Sequence, residues 1–156
     1  MAFTASHINR AYLADVLDNT TALDLGSDAF KAALFGNTGT PDENATSANT
    51  AFGVGQWVTG NEISQAGQWP TGGVALTSPS LNSGTSDVVF FTASNTASGA
   101  AATLANIYGV MVYDTTVATP VASQGICFNY YGGPNSVTNG TFTSVWAGTG
   151  IARFTL

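Results

Sequence analysis

The sequence is short of charge. Only 8% of its 156 residues are Asp, Glu, Lys or Arg, and three of these are basic, whereas about 25% is usual in soluble domains. With a formal net charge of −6, the chain lacks the clustered Lys and Arg that a nucleic-acid backbone or an anionic membrane surface requires. We therefore expect neither a nucleic-acid partner nor a membrane partner.

The sequence also has little with which to build covalent or metal chemistry. Cys127 is the single cysteine and His7 the single histidine, so an internal disulfide and a typical zinc site are both excluded. Cys127 lies in an apolar, strand-like segment, where a buried and unreactive thiol is expected. No apolar run approaches the roughly 20 residues of a membrane span. The first residues show no secretory signal, so we expect synthesis in a cytoplasm.

Catalytic motifs are missing as well. The chain contains no Gly-x-Ser-x-Gly nucleophile elbow and no phosphate-binding loop. Asp24 to Asp28 and the Asp42-Glu43 pair are weak calcium candidates, because both lack the density of acidic ligands found in an EF-hand loop. Paired carboxylates for glycoside hydrolysis are not excluded by spacing, but no supporting motif accompanies them. We expect no enzymatic activity, no cofactor and no bound metal.

One helix is predicted near the N-terminus. Apolar residues recur there at helical spacing, at Ile8, Tyr12, Leu13, Val16 and Leu17. Such a stripe packs on the sheet of its own domain or docks, as an arm, on a neighbouring subunit. The sequence therefore divides into an N-terminal helix or arm over residues 1–22 and a single β domain over residues 23–156.

The remainder of the chain predicts short strands separated by Gly, Asn and Pro turns. Candidate strands occupy residues 29–35, 56–58, 74–77, 88–92, 107–113, 121–131, 141–146 and 151–156. We expect Gly132 to Asn135 to end the sixth of these, and Asn139-Gly140 to form a tight hairpin. Strands do not alternate with helices, which disfavours a parallel sheet. The predicted fold is all-β, an antiparallel β-sandwich or jelly-roll-like barrel with one N-terminal helix.

Several segments, taken in order, form a recognisable series. A strand with a central Lys precedes a Thr-Pro-Asp loop, and a Gly-Gly turn leads into Leu-Thr-Ser-Pro; the segments are 28–35, 40–42, 62–64, 69–79, 109–114, 119–121 and 139–151. This series resembles a group of small virion structural proteins of tailed bacteriophages, described as capsid decoration, minor head or minor tail proteins. The resemblance covers most of the chain from Asp24 onward. Trp69 stands where Tyr is more typical.

The resemblance implies a non-enzymatic virion protein and carries over no active-site residue. It would be a capsid decoration (cement) or minor capsid protein on the capsid exterior, made in the host cytoplasm, that binds the major capsid protein and stabilises the head lattice. We expect it to associate with itself as a homotrimer or homodimer, with lattice symmetry favouring the trimer. Phe3, Trp57 and Trp69 are the hypothesised interface anchors.

Two other functions stay open at this stage. The protein could be a minor tail component, since one sandwich can serve in either place. It could also be a carbohydrate-binding β-sandwich on the virion surface that uses Trp57 or Trp69 as a stacking platform. For both tryptophans, burial in the core is the structural alternative.

Overall fold

The computed structural model describes residues 5–18, 22–83 and 87–155. Within them, ten antiparallel strands and two α-helices account for most of the regular structure, with two short 3₁₀ helices at Gly55–Trp57 and Thr59–Asn61. In chain order these are β1 (His7–Ile8), α1 (Arg10–Asp18), β2 (Phe30–Phe35), α2 (Ser47–Thr50), β3 (Val74–Ala75), β4 (Ser80–Ser83), β5 (Val88–Thr92), β6 (Thr96–Ala97), β7 (Ala102–Asp114), β8 (Gly125–Gly140), β9 (Thr143–Ser144) and β10 (Ala152–Thr155).

The largest sheet has five strands in the order β1-β8-β7-β2-β3. β7 and β8 are long hairpin partners, and β2 lies along the other edge of β7 with Phe30 opposite Asp114 and Phe35 opposite Gly109. The central part of β2 is buried on both faces because Ala32, Ala33 and Leu34 are fully covered. A nearly continuous apolar run is typical of a strand covered on both sides.

A second sheet packs on the first. It has the order β10-β5-β4, and β6 pairs with β9 in a separate two-stranded ribbon. Phe91 of the second sheet meets Phe30 of the first edge-to-face, with ring centroids 4.9 Å apart. The two sheets bury a shared core but do not close into a barrel. The predicted all-β, antiparallel sandwich is confirmed, in an open form.

The described part of the N-terminal segment belongs to this domain. His7 and Ile8 pair with Phe128 and Cys127 of β8. The Asn9 side chain, 116 residues away in sequence, donates to the Gly125 carbonyl at 2.9 Å. Tyr12 of α1 is buried in the main core. The helix therefore packs on the sheet of its own chain, as in the first of the two interpretations.

Three local predictions are wrong. Residues 56–58 are not a strand, since Gly55–Trp57 form a 3₁₀ turn that places the indole in a second hydrophobic cluster, with Phe35 and Met111. The run of Gly132 to Asn135 does not end β8, because the positive φ angles of Gly132 and Gly133 let the strand shift register and continue to Gly140.

The third error concerns the segment after β8. Asn139-Gly140 forms no tight hairpin back onto β8, since the strand that follows, Thr143–Ser144, pairs with β6 instead. The predicted strand over 141–146 is thereby reduced to two residues. A dipeptide with turn propensity determines the local backbone conformation, but it does not determine which strand the following segment pairs with.

Candidate functional site

An apolar groove lies between α1 and the second sheet. Its volume is about 550 Å³, and it is walled by the α1 face, the connection after the helix, and strands β4, β5 and β10. The residues that shape it are Leu13, Leu17, Leu23, Leu81, Val89 and Phe154. Asp24 is the one charged residue among the described lining. The groove is thus an almost uncharged, hydrocarbon-lined surface.

Strand register explains how the sequence builds the floor of the groove. Val89 lies opposite Phe154, and Leu81 lies opposite Phe91, so all four side chains project from one face of the sheet. Phe91 is fully buried in the core. The groove is therefore an extension of the sandwich interior toward solvent.

Two leucines of the groove are unusually exposed for apolar side chains. Leu17 keeps 77% of its surface accessible and Leu81 keeps 47%. The other exposed large apolar side chains of the described ranges are Val54 and Val145, which are not part of the groove lining. Contiguous exposed apolar surface marks protein contact sites or ligand grooves. We treat the groove as the candidate functional site.

The structure does not bring the hypothesised anchors together. Phe3 lies outside the described residues. Trp57 is 1% exposed and its ring packs against Phe35 and Phe128, with centroids 4.9 and 5.7 Å away. Its hypothesised role as an exposed anchor is wrong, because its apolar surface is already covered within the chain.

Trp69 is likewise a core residue. It is 0% exposed, and its Nε1 donates to the Ala32 carbonyl at 3.1 Å. Phe142 packs edge-to-face on its ring. The hydrogen bond and the burial together fix the indole between β2 and the segment after β8. The hypothesised role of Trp69 as an exposed interface anchor is therefore wrong. Neither Trp57 nor Trp69 has an exposed ring face on which a sugar could stack.

Two carboxylic acids are buried away from the groove. Glu62 is 9% exposed, and its Oε1 accepts from Gly72 N at 2.9 Å. Burial raises the pKa of Glu62 from 4.5 to about 7, although backbone hydrogen bonds and Lys31 act in the opposite direction. Asp114 is fully buried, and that burial raises its pKa to about 6. A backbone amide of the Gly72-Gly73 turn binds Glu62, and the Thr116 amide of the turn after β7 binds Asp114.

The remaining chemistry is inert or dispersed. Cys127 is buried, and desolvation raises the pKa of its thiol to about 12. Over residues 5–18, 22–83 and 87–155, no group of three or more His, Cys, Asp or Glu side chains is placed to hold a metal ion. In the same ranges no helix is both long and apolar enough to span a bilayer.

Comparison with known proteins assigns no family. No family model, no curated protein and no solved structure matches the chain.

The sequence did not predict the groove. Leu17 is the last apolar residue of an amphipathic helix pattern, which predicts burial. Leu81 is flanked by Pro, Ser and Asn, which predict a loop, so neither residue indicates an exposed apolar site. Only the strand register places them on one surface.

Proposed function

We propose that the chain is a non-enzymatic structural protein of a tailed-phage virion, most simply a capsid decoration or minor capsid protein. It would sit on the capsid exterior and bind the major capsid protein. The sequence resemblance from Asp24 onward supports this function, and the fold is compatible with it. The observation that carries the proposal is the exposed apolar groove, because a protein that works by surface contact needs such a surface.

The low charge of the chain also favours binding through apolar contacts. Three basic residues and a net charge of −6 leave little scope for electrostatic attraction to an acidic partner. Binding would then come from apolar side chains of a neighbouring capsid subunit seated against Leu17 and Leu81. Each buried Leu contributes about 1.5–3 kcal/mol when it is removed from water. Contacts of this kind, repeated across a lattice, oppose the separation of capsomers.

Self-association is part of the proposal. A homotrimer, or failing that a homodimer, would present several grooves to symmetric neighbours at once. Several linked sites bind a lattice more tightly than one because the later contacts form at high effective concentration. Sedimentation velocity of the purified protein measures its oligomeric state directly. A protein that is monomeric at all concentrations would contradict the proposed self-association.

The binding proposal is tested with a matched pair of variants. Leu17→Ser removes the most exposed groove residue, whereas Val145→Ser changes a residue of similar exposure, 69%, that is not part of the groove lining. Heads purified without the protein are mixed with each variant and pelleted. We expect Leu17→Ser to lose at least tenfold in affinity and Val145→Ser to bind like the unchanged protein. Equal binding by both variants would contradict a groove-mediated contact.

The tail alternative is separated by position in the particle. Immunogold labelling of virions with antibody against the protein should place gold densely over the heads. Gold confined to tails would make the protein a minor tail component and would end the capsid-clamping mechanism. A lack of gold on both, with the epitope shown to be accessible, would remove an exposed virion role altogether.

A further inference from the structure

The two sheets leave an opening on one side of the sandwich. β1 is the last strand of the five-stranded sheet, and β10 is the last strand of the three-stranded sheet. Both strands line the same cavity, whose volume is about 320 Å³. Residues 6–8 and residues 151–153 contribute from the two strands, and Cys127 and Asn129 of β8 complete the lining. We call this cavity the edge slot.

The outer edge of β1 has free backbone groups. Ile8 lies opposite Cys127 of β8, and Asn9 N donates to the Ile126 carbonyl at 2.9 Å. Because alternate residues of an antiparallel strand form the hydrogen-bonded pairs, the bond at Asn9 makes Ile8 a non-bonded position. The N–H and C=O of Ile8 therefore point away from β8, and no residue in the described ranges bonds to them.

β10 has an open edge of the same kind. Its four residues, Ala152–Thr155, pair with β5 on one side only. Alternate residues bond to β5, so the other residues direct their N–H and C=O groups outward. Over residues 5–18, 22–83 and 87–155, no backbone group bonds to these outward groups. Two open edges thus flank one slot, and an unpaired strand edge is a template for another extended segment.

Arg153 gives the edge slot a positive charge without a counter-ion. The residue is exposed, and it forms no ion pair with any side chain that the structure describes. His7, the other basic side chain of the slot, already contacts Glu43, which also binds Arg10 at 2.9 Å. The chain has nine acidic residues, yet none of those described neutralises Arg153. A guanidinium in this position is suited to a carboxylate from outside the chain.

We propose that the edge slot binds an extended acidic segment of a partner protein by strand addition. Backbone groups of the segment pair with Ile8 and with the outward groups of β10, and a Glu or Asp side chain pairs with Arg153. β10 of a second copy fits the slot less well, because its four residues include an arginine and no acid. The edge slot shares no residue with the apolar groove, so this proposal does not depend on head binding through the groove.

Synthetic peptides of defined sequence test the proposal. The probe is the blocked peptide Thr-Val-Glu-Val-Thr, which favours an extended backbone and carries one carboxylate. Fluorescence anisotropy of the labelled probe is measured against the whole protein, alongside matched peptides with a central Lys or with N-methylated Val residues. We expect the Glu peptide to bind at least about tenfold more tightly than the Lys peptide, and N-methylation to abolish binding. A lack of binding at about 1 mM protein would overturn the proposal.

Variants of Arg153 give the second arm of the test. Arg153→Gln should weaken binding of the Glu peptide by about tenfold. Arg153→Glu should reverse the preference, so that the Lys peptide binds more tightly than the Glu peptide. Lys31→Gln removes a positive charge from β2, outside the slot, and is the control that should bind like the unchanged protein. A preference for the Glu peptide that persists in Arg153→Glu would refute the pairing.

Amide hydrogen exchange followed by NMR shows whether the peptide adds as a strand. We expect the Ile8 amide to gain at least about tenfold in protection with saturating Glu peptide, while the Val110 amide in β7 keeps its protection. Binding without this gain would be an ionic contact only and would overturn strand addition. Self-association that is lost in Arg153→Glu, with no peptide bound by the unchanged protein, would assign the slot to a second copy and also overturn the proposal.

Discussion

Replacing Glu62 with Gln is expected to stabilise the protein at pH 8 and to leave its stability unchanged near pH 4. The Glu62 side chain is almost wholly buried beside the double-glycine turn, where its Oε1 accepts from Gly72 N. Gln keeps an oxygen for that amide and occupies nearly the same volume. The change therefore removes a charge that is costly to bury and little else.

The magnitude follows from the two protonation states. Burial moves the pKa of Glu62 from 4.5 to about 7. Because the folded state holds the proton over this interval and the unfolded state has released it, the contribution to stability is fully present below about pH 4.5. It is lost as the pH rises through 7, and the loss amounts to about 3 kcal/mol. Glu62→Gln avoids that loss.

Urea denaturation at intervals from pH 4 to pH 8 measures the effect. The buried Trp57 and Trp69 provide the fluorescence signal of unfolding. The free energies of unfolding of the variant and the unchanged protein should coincide at pH 4 and separate by about 3 kcal/mol at pH 8. Asp42→Asn removes an equal charge from an exposed turn and should follow the unchanged protein throughout. A constant difference between Glu62→Gln and the unchanged protein at every pH would refute the reasoning from burial.

Two further predictions concern the core. Trp69→Phe loses the hydrogen bond to the Ala32 carbonyl and part of a buried ring, so we expect a cost of about 2 kcal/mol in urea denaturation with head binding unchanged. Gly73→Ala places a methyl group 2.1 Å from the Ala32 carbonyl oxygen at a φ of +78°, which should cost about 3 kcal/mol or more. Gly148→Ala is the control for Gly73→Ala, because a new methyl group there meets no atom within 4 Å. It should change the free energy of unfolding by no more than about 0.5 kcal/mol.

The strands that could be predicted from sequence are those with a strong local pattern. Residues 88–92 form β5 as expected, and the apolar run from Ile107 to Tyr113 lies within β7. Fold class follows from such runs because hydrophobic strands without intervening helices have few ways to bury themselves except as packed antiparallel sheets.

What could not be predicted depends on contacts between distant parts of the chain. Gly132 and Gly133 have the composition of a turn, yet β7 supplies a partner strand that carries β8 through them. The groove depends in the same way on which residues of β4, β5 and β10 face one another. The two tryptophans lie in loop-like sequence, and their burial is decided by the neighbours that fold over them.

The pairing of β1 with β8 sets the order in which the chain can become stable during synthesis. Asn9 and the buried face of α1 rely on residues near Gly125, 116 positions later. Until β8 leaves the ribosome, the Asn9 side chain lacks the Gly125 carbonyl and β7 lacks its hairpin partner. The domain must therefore complete its fold late and as one cooperative unit, with a rate limited by the closing of long loops.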